Sequence, residues 1–286
     1  MKRELNSWYS SSLNKEMPIA TYGDYGFALL MVPTAAADYL EYERFQLMDT
    51  LSHFIDSGKV KVFSIDSINN ESWMNNNIDP WHKSIRHQQW NDYVFNEVVP
   101  YVRNNTSWET PIITCGASFG ALHSMNLFLK RPDIINGVVA MSGVYDLTDY
   151  TRGHYDDHVY FNSPAHYISN LTDDGILEQI RKSQHIHILA GSGNYEDPGA
   201  SARFAKQLYD KYKVPIGLIR SAAGGTPAGS PRGRCAGGHQ SGNVALREAR
   251  CGSPAGSGQS ARRRRARAPL RPHHGHAASH GGAGTE

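Results

Sequence analysis

Hydrophobic positions in the first 220 residues alternate between mainly apolar runs and stretches with helical spacing. Residues 1–26 alternate short polar and apolar stretches, which predicts an antiparallel hairpin. The continuous apolar run over 27–32 predicts a strand that is buried on both faces. Further strands are predicted at 60–65, 112–115, 135–141, 186–190 and 214–219. Apolar residues three and four apart predict helices over 41–57, 87–104, 119–129 and 199–212.

This alternation of strands and helices favours right-handed crossovers between parallel strands. We therefore predict an α/β fold with a mostly parallel central sheet that is flanked by helices. Gly58 follows the helix over 41–57, where a glycine cap is expected. Pro100 lies inside the helix over 87–104 and is expected to kink it.

Two segments depart from the alternation. Residues 144–184 are rich in Tyr, Asp and His and predict a cap or pocket wall beside the active site. Residues 221–286 contain no Ile, Phe, Tyr, Trp, Met, Lys or Asp, and such a segment cannot bury enough apolar surface to order itself. We predict an α/β domain over 1–220 and a disordered tail over 221–286. The tail is either a chimeric or out-of-frame C-terminus or a natural low-complexity segment.

The formal net charge of +2 hides an uneven distribution. Ten Arg and two acidic residues give 221–286 a charge of +8, which leaves −6 for residues 1–220. An acidic domain gives no reason to expect nucleic acid. The arginines at 262–265 and 267 would attract phosphate, but no aromatic residue that could stack on a base accompanies them. We therefore expect no nucleic-acid partner.

The remaining composition predicts a soluble, cytoplasmic protein. The N-terminus lacks the apolar stretch of a secretory signal, and no apolar run approaches the roughly 18 residues that span a membrane. The three cysteines show no metal-ligand spacing and are too few for a disulfide framework. We expect no metal and no membrane association, and the oligomeric state stays open.

The central chemical signal is Gly116-Ala117-Ser118-Phe119-Gly120, between a predicted strand and a predicted helix. This matches G-x-S-x-G, in which the serine occupies a sharp, strained turn and the glycines leave room for neighbouring backbone. The start of the helix directs unpaired N–H groups at the site, which favours developing negative charge. We therefore predict that Ser118 is a catalytic nucleophile.

An oxyanion hole requires two donors. One is expected to be the backbone N–H of Phe119, directly after the nucleophile. The other should come from the loop after an earlier strand, and residues 33–37 follow the strand over 27–32 with small side chains that permit close approach. We assign the second donor to the N–H of Ala35.

The acid and the base of a catalytic triad should follow the serine in that order. Glu196 lies in an acidic loop after the strand over 186–190 and is the predicted acid. Asp197 is the next candidate, but it could instead cap the following helix, and Asp146 is better explained as a turn or pocket residue. After the last strand the first histidine is His239, in Gly-rich sequence that offers no ordered element to hold it.

The chain resembles the putative-esterase family of α/β-hydrolases, which includes esterase D and the antigen 85 mycolyltransferases. The resemblance covers about 1–219, and it depends on Pro33-Thr34, Glu41-Tyr42-Glu43, Asp66-Ser67, Ser72-Trp73, Arg86-His87, residues 96–100, Gly116 to Gly120, Ser142-Gly143-Val144-Tyr145-Asp146 and residues 195–199. It implies a Ser-acid-His triad, here carried onto Ser118 and Glu196. It also implies a small-molecule carboxylester or thioester substrate and no cofactor.

The resemblance ends after residue 219. Members of the family follow the last strand with a segment of the type Trp-Gly…His-Asp-Trp, which supplies the base and a closing helix. This chain has Ser221-Ala222-Ala223-Gly224-Gly225 there, so the triad is expected to lack its histidine. The sequence thus predicts a serine esterase, with an acyltransferase on the same triad or a catalytically inactive hydrolase-fold protein as the alternatives.

Overall fold

The computed structural model describes residues 1–193, 196–214 and 216–221 of the chain. Within these residues the strands are β1 (Arg3–Ser10), β2 (Lys15–Tyr22), β3 (Phe27–Val32), β4 (Val60–Ile65), β5 (Ile112–Ala117), β6 (Gly137–Met141), β7 (Ile186–Gly191) and β8 (Gly217–Ser221). They form one sheet of eight strands in the order β1-β2-β4-β3-β5-β6-β7-β8. The strand that the sequence predicts over 214–219 is β8, which begins and ends slightly later, at Gly217 and Ser221.

The α-helices of the described residues are α1 (Glu41–Arg44), α2 (Leu47–Asp56), α3 (Pro80–Tyr93), α4 (Val99–Asn104), α5 (Phe119–Lys130), α6 (Asp157–Asn162), α7 (Pro164–Tyr167), α8 (Asp174–Lys182) and α9 (Pro198–Tyr212). Short 3₁₀ turns lie at Asn69–Glu71, Thr148–Tyr150 and Ile168–Asn170. No helix within the described ranges is both long and apolar enough to cross a membrane.

The strand directions confirm a mostly parallel sheet. β1 and β2 form the predicted antiparallel hairpin, and β2 pairs antiparallel with β4. Every further pair of adjacent strands, from β4 with β3 to β7 with β8, is parallel. Helices cover both faces of the central strands. β3 is buried along almost its whole length, as its continuous apolar run predicted.

Successive residues of β3 show how the two faces are buried. Leu30 and Val32 pack into the larger core with residues of α3 and α5. Leu29 and Met31 point to the opposite face and pack into a second core with residues of α1 and α2. Because side chains alternate along a strand, an apolar run without polar interruptions needs a layer on each side.

Two of the predicted helices differ from the structure. The helix over 41–57 is broken into α1 and α2 at Gln46, which has a φ of 60°. Gly58 adopts a φ of 68° after α2, as expected for a cap. The helix over 87–104 begins earlier, at Pro80, and contains a π-helical turn over Val94–Val98. Pro100 has no N–H to donate within α4, and the wider turn directly before α4 is the local adjustment.

The segment over 144–184 lies between β6 and β7 and consists of the short helices α6 to α8 with their connecting turns. Its role as a cap stays a prediction. Residues 222–286 lie outside the described residues, and they make up the whole predicted tail except Ser221, which is the last residue of β8.

Candidate active site

Ser118 occupies the sharp turn between β5 and α5. Its φ of 54° and ψ of −115° lie in a region that residues with a side chain rarely adopt. The Ser118 N–H donates to the carbonyl of Met141 at 2.9 Å, which fixes the turn to the end of β6. The side chain is half-buried, and no hydrogen bond joins its hydroxyl to any of the described residues. This is the strained, accessible serine that the motif predicts.

The two glycines of the motif allow three backbone segments to meet. A β-carbon on Gly116 would lie 2.4 Å from the carbonyl carbon and oxygen of Gly120. A β-carbon on Gly120 would lie 2.3 Å from the carbonyl oxygen of Val32 and 2.8 Å from that of Pro33. The end of β5, the start of α5 and the end of β3 can therefore approach only because both positions lack a side chain.

The candidate oxyanion donors lie on adjacent segments. Phe119 is the first residue of α5, so its N–H has no acceptor within the helix. Ala35 packs against a small apolar cluster that includes the buried side chain of Phe119. The structure thus brings the loop after β3 next to the residue that follows the candidate nucleophile.

The position of these loops in the sheet also favours a binding site. The strand order reverses at β3, because β4 lies on one side of it and β5 on the other. In open α/β sheets, ligands bind outside the carboxyl ends of the strands at such a reversal. Ala35 and Ser118 follow the carboxyl ends of β3 and β5, the two strands that meet there.

Glu196 lies over the end of β7. Its Oε1 occupies the space where a β-carbon of Gly191 would be, at a separation of 2.8 Å. Its Oε2 is buried and accepts no hydrogen bond from the described residues. A buried carboxylate oxygen without a donor is costly, and an imidazole N–H is the kind of group that would satisfy it.

Asp197 and Asp146 have other partners. Asp197 is exposed and caps α9, because its Oδ1 accepts the Ala200 N–H at 2.8 Å. Asp146 accepts two hydrogen bonds from Thr148 and lies 3.0 Å from Nε2 of His166. Both aspartates therefore have the structural roles that the sequence offered as alternatives.

None of the histidines in the described part of the chain hydrogen-bonds to Ser118. His154 pairs with Asp156 at 2.9 Å, and His166 uses its second ring nitrogen to accept from Tyr155 at 2.8 Å. His239, which the sequence gives as the nearest downstream candidate, lies outside the described residues.

A buried hydrogen-bond chain behind the nucleophile was not predicted from the sequence. The Trp73 indole N–H donates to Nδ1 of His87 at 3.0 Å, and Nε2 of His87 lies 3.0 Å from Nδ1 of His123. Nε2 of His123 in turn lies 2.9 Å from Oδ1 of Asn69. Since an indole can only donate, each imidazole must carry one proton, on Nε2. The chain joins α5 to α3 and to the segment over 69–73.

Burial keeps both of these histidines neutral. Desolvation lowers the pKa of His123 to about 3, and desolvation, with His123 and Lys130 nearby, holds the pKa of His87 well below its usual value. Neither ring can therefore serve Ser118 as a base from this position, because both nitrogens of each ring are already bonded. His87 and His123 both lie within predicted helices, but no spacing in the sequence connects the two rings.

The fold and the strained serine define an α/β-hydrolase. The chain belongs to the family whose sequence model is described as "Putative esterase", which matches residues 10–213. The predicted family is thus confirmed, and the protein is carboxylester hydrolase-like. A comparison with curated proteins gave no match.

Solved structures with the same fold are similar to this chain at low sequence identity. A ferulic acid esterase aligns with a TM-score of 0.58 and 17% identity, covering 77% of this chain and 90% of that one. S-formylglutathione hydrolase FrmB from Staphylococcus aureus aligns with a TM-score of 0.55 and 12% identity, covering 77% and 88%. MPT51 from Mycobacterium tuberculosis aligns with a TM-score of 0.50 and 14% identity, covering 79% and 91%. These alignments establish the fold.

Proposed function

We propose that the protein hydrolyses carboxylic esters or thioesters of small molecules with Ser118 as the nucleophile. The observation that carries this proposal is the backbone of Ser118, with its φ of 54° at the end of a parallel strand and the start of α5. Such strain persists only where the surrounding structure maintains it, and it is found mostly at functional sites. The contacts of Gly116 and Gly120 maintain it here.

In the proposed reaction, Ser118 Oγ attacks the carbonyl carbon of the ester and passes its proton to a histidine. The carbonyl oxygen becomes an oxyanion that accepts hydrogen bonds from the N–H groups of Phe119 and Ala35. Collapse of this intermediate expels the alcohol or thiol, which takes the proton from the histidine. Water then attacks the acyl group on Ser118 by the same route and releases the acid.

Glu196 is the proposed acid that orients the histidine and stabilises its charged form. The buried Oε2, to which no described residue donates a hydrogen bond, supports this role, and the capping bond of Asp197 makes the neighbouring aspartate a weaker candidate. We assign the base to no residue of the described part of the chain. His239 stays the nearest candidate in the sequence, and the departure from the family pattern after residue 219 predicts weak activity for this chain.

The experiment is hydrolysis of p-nitrophenyl acetate by a version of the chain whose residues after Arg220 are replaced by a histidine-bearing segment of the family type, and by the Ser118→Ala variant of that version. We expect the variant to lose the enzyme-dependent rate while its folding is unchanged, since a small side chain at a half-buried turn contributes little packing. An equal rate for both proteins would remove Ser118 from the mechanism.

A further inference from the structure

Helix α1 carries two buried polar side chains that the proposed reaction does not use. Glu41 and Tyr42 are each 6% exposed, although the helix they belong to is only one turn long. Buried polar groups are retained where they satisfy other buried polar groups. The partners of both residues belong to the segments that surround Ser118.

Glu41 holds the loop that carries the proposed oxyanion donor Ala35. Its Oε2 accepts the backbone N–H of Thr34 at 2.8 Å, and its Oε1 accepts the Thr34 hydroxyl at 2.5 Å. Two bonds to one residue fix both the position and the orientation of that peptide. The next residue along the chain is Ala35, so the direction of its N–H depends on these bonds.

Tyr42 joins the ends of β3 and β5 on the other side of the same loop. Its hydroxyl donates to the carbonyl of Val32 at 2.8 Å and accepts the N–H of Ala117 at 3.0 Å. The pairing of these two strands ends at Val32 and Gly116. The hydroxyl thus continues the hydrogen-bonded connection to the residue directly before Ser118.

The helix that presents both side chains is itself attached to the sheet. Glu43 forms an ion pair with Arg3 of β1 at 2.8 Å and accepts a hydrogen bond from the Tyr22 hydroxyl of β2. The Ser64 hydroxyl of β4 donates to the carbonyl of Tyr39 at 2.7 Å, just before the helix. Glu41 and Tyr42 therefore act from a fixed support, which a single turn of helix alone would not provide.

We propose that Glu41 and Tyr42 are positioning residues of the oxyanion hole, with Glu41 setting the Ala35 donor and Tyr42 setting the Ser118 turn relative to it. The inference rests on the proposed function. Donors of an oxyanion hole must lie about 2.7–3.1 Å from the position of the developing oxyanion, and losing one typically costs about 10²–10³-fold in rate. Misplacing a donor should cost less than removing it.

The test measures how fast a fluorophosphonate probe labels Ser118 in the full chain, by intact mass. Glu41→Gln and Tyr42→Phe should each lower the second-order rate constant about 10- to 100-fold, because the phosphoryl oxygen of the probe gains negative charge as Ser118 displaces fluoride and needs the same donors. Two control variants make the same kinds of substitution, Tyr→Phe and Glu→Gln, outside the proposed site. Tyr93→Phe removes a buried hydroxyl that has no partner among the described residues. Glu97→Gln replaces a carboxylate that accepts hydrogen bonds from Trp8, Ser10 and Ser12.

Both controls should label within about twofold of the wild type, although Glu97→Gln lowers stability. A second measurement, amide hydrogen exchange, follows the bonds themselves. The Thr34 N–H should exchange faster in Glu41→Gln, and the Ala117 N–H should exchange faster in Tyr42→Phe. If labelling slows while faster exchange is confined to these two amides, the variants have lost positioning and not their overall fold.

Labelling of both variants at the wild-type rate would overturn the inference and leave the proposed function standing. Labelling of the wild type at a serine other than Ser118 would overturn the proposed function, and the inference with it. A fall in rate that Glu97→Gln matches would also overturn the inference, because general loss of stability would then explain it.

Discussion

Gly120 packs so closely on Val32 that a β-carbon at residue 120 would lie 2.3 Å from the Val32 carbonyl oxygen. The contact connects the helix after the nucleophile to the strand before the proposed oxyanion loop. The second glycine of the motif is therefore required by packing against β3 as well as by the shape of the turn.

Gly120→Ala should therefore destabilise the protein by about 1–3 kcal/mol, because two backbone segments must separate. Gly175→Ala is the matched control. There a β-carbon would meet only the Asp173 side chain, at 3.2 Å, and alanine is the better helix former. Urea unfolding of both variants should show a large loss for Gly120→Ala alone. Equal midpoints would contradict the packing described for the turn.

Glu196→Gln should lower ester hydrolysis roughly 10⁴-fold where the histidine is present, as loss of the acid does in other serine hydrolases. Asp197→Asn is the neighbouring control, since asparagine caps a helix about as well as aspartate. It should keep activity within about twofold. We would measure both in a version whose residues after Arg220 are replaced by a histidine-bearing segment of the family type. Loss of activity in Asp197→Asn alone would reverse the assignment.

The version with a histidine-bearing segment after Arg220 also tests whether the unaltered chain has weak esterase activity. A serine without a positioned base is a weak nucleophile, so the full chain should hydrolyse p-nitrophenyl acetate at least about 10³-fold more slowly than the histidine-bearing version. The measurement is the turnover rate of the two purified proteins. Similar rates would mean that a histidine of this chain reaches Ser118, and His239→Ala would be the first variant to examine.

The buried histidine pair should make stability depend on pH. Desolvation lowers the pKa of His123 to about 3, whereas an unfolded histidine has a pKa of about 6.5. Between these values the unfolded chain binds the extra proton, so stability falls as pH falls through 6.5 and continues to fall toward 3. From pH 7 to pH 5, the loss is about 2 kcal/mol for His123, and His87 acts in the same direction.

His123→Gln should remove the His123 share, so its unfolding free energy should fall about 2 kcal/mol less than that of the wild type over this interval. Glutamine can still accept from His87 and donate to Asn69, which keeps the comparison close. A wild-type pH dependence in His123→Gln would show that the ring titrates normally.

Local patterns were enough to predict most of the sheet and the position of Ser118. Strands that are covered on both faces have long apolar runs, which the sequence shows directly. Gly116 and Gly120 mark the turn around Ser118, because neither position has room for a side chain. Pro100 indicated an irregularity in the helix over 87–104, and the π-helical turn lies directly before α4. Nothing in the local pattern marked the break at Gln46.

The supporting contacts of the site could not be predicted for the same reason. Tyr42 meets Ala117 across 75 residues of sequence, and His87 meets His123 across 36. No spacing rule connects such pairs. The sequence did single out Glu41-Tyr42-Glu43 as part of a resemblance, but it took the fold to bring these residues next to the ends of β3 and β5.

The central claim is that Ser118 is the nucleophile, and the most direct measurement is to locate the label after treating the full chain with a fluorophosphonate probe. Ser124→Ala is the control, since Ser124 lies on the same helix and its buried hydroxyl has no partner among the described residues. Peptide mapping should find the adduct on Ser118 in the wild type and in Ser124→Ala, with none in Ser118→Ala. An adduct that persists in Ser118→Ala at the wild-type rate would contradict the account.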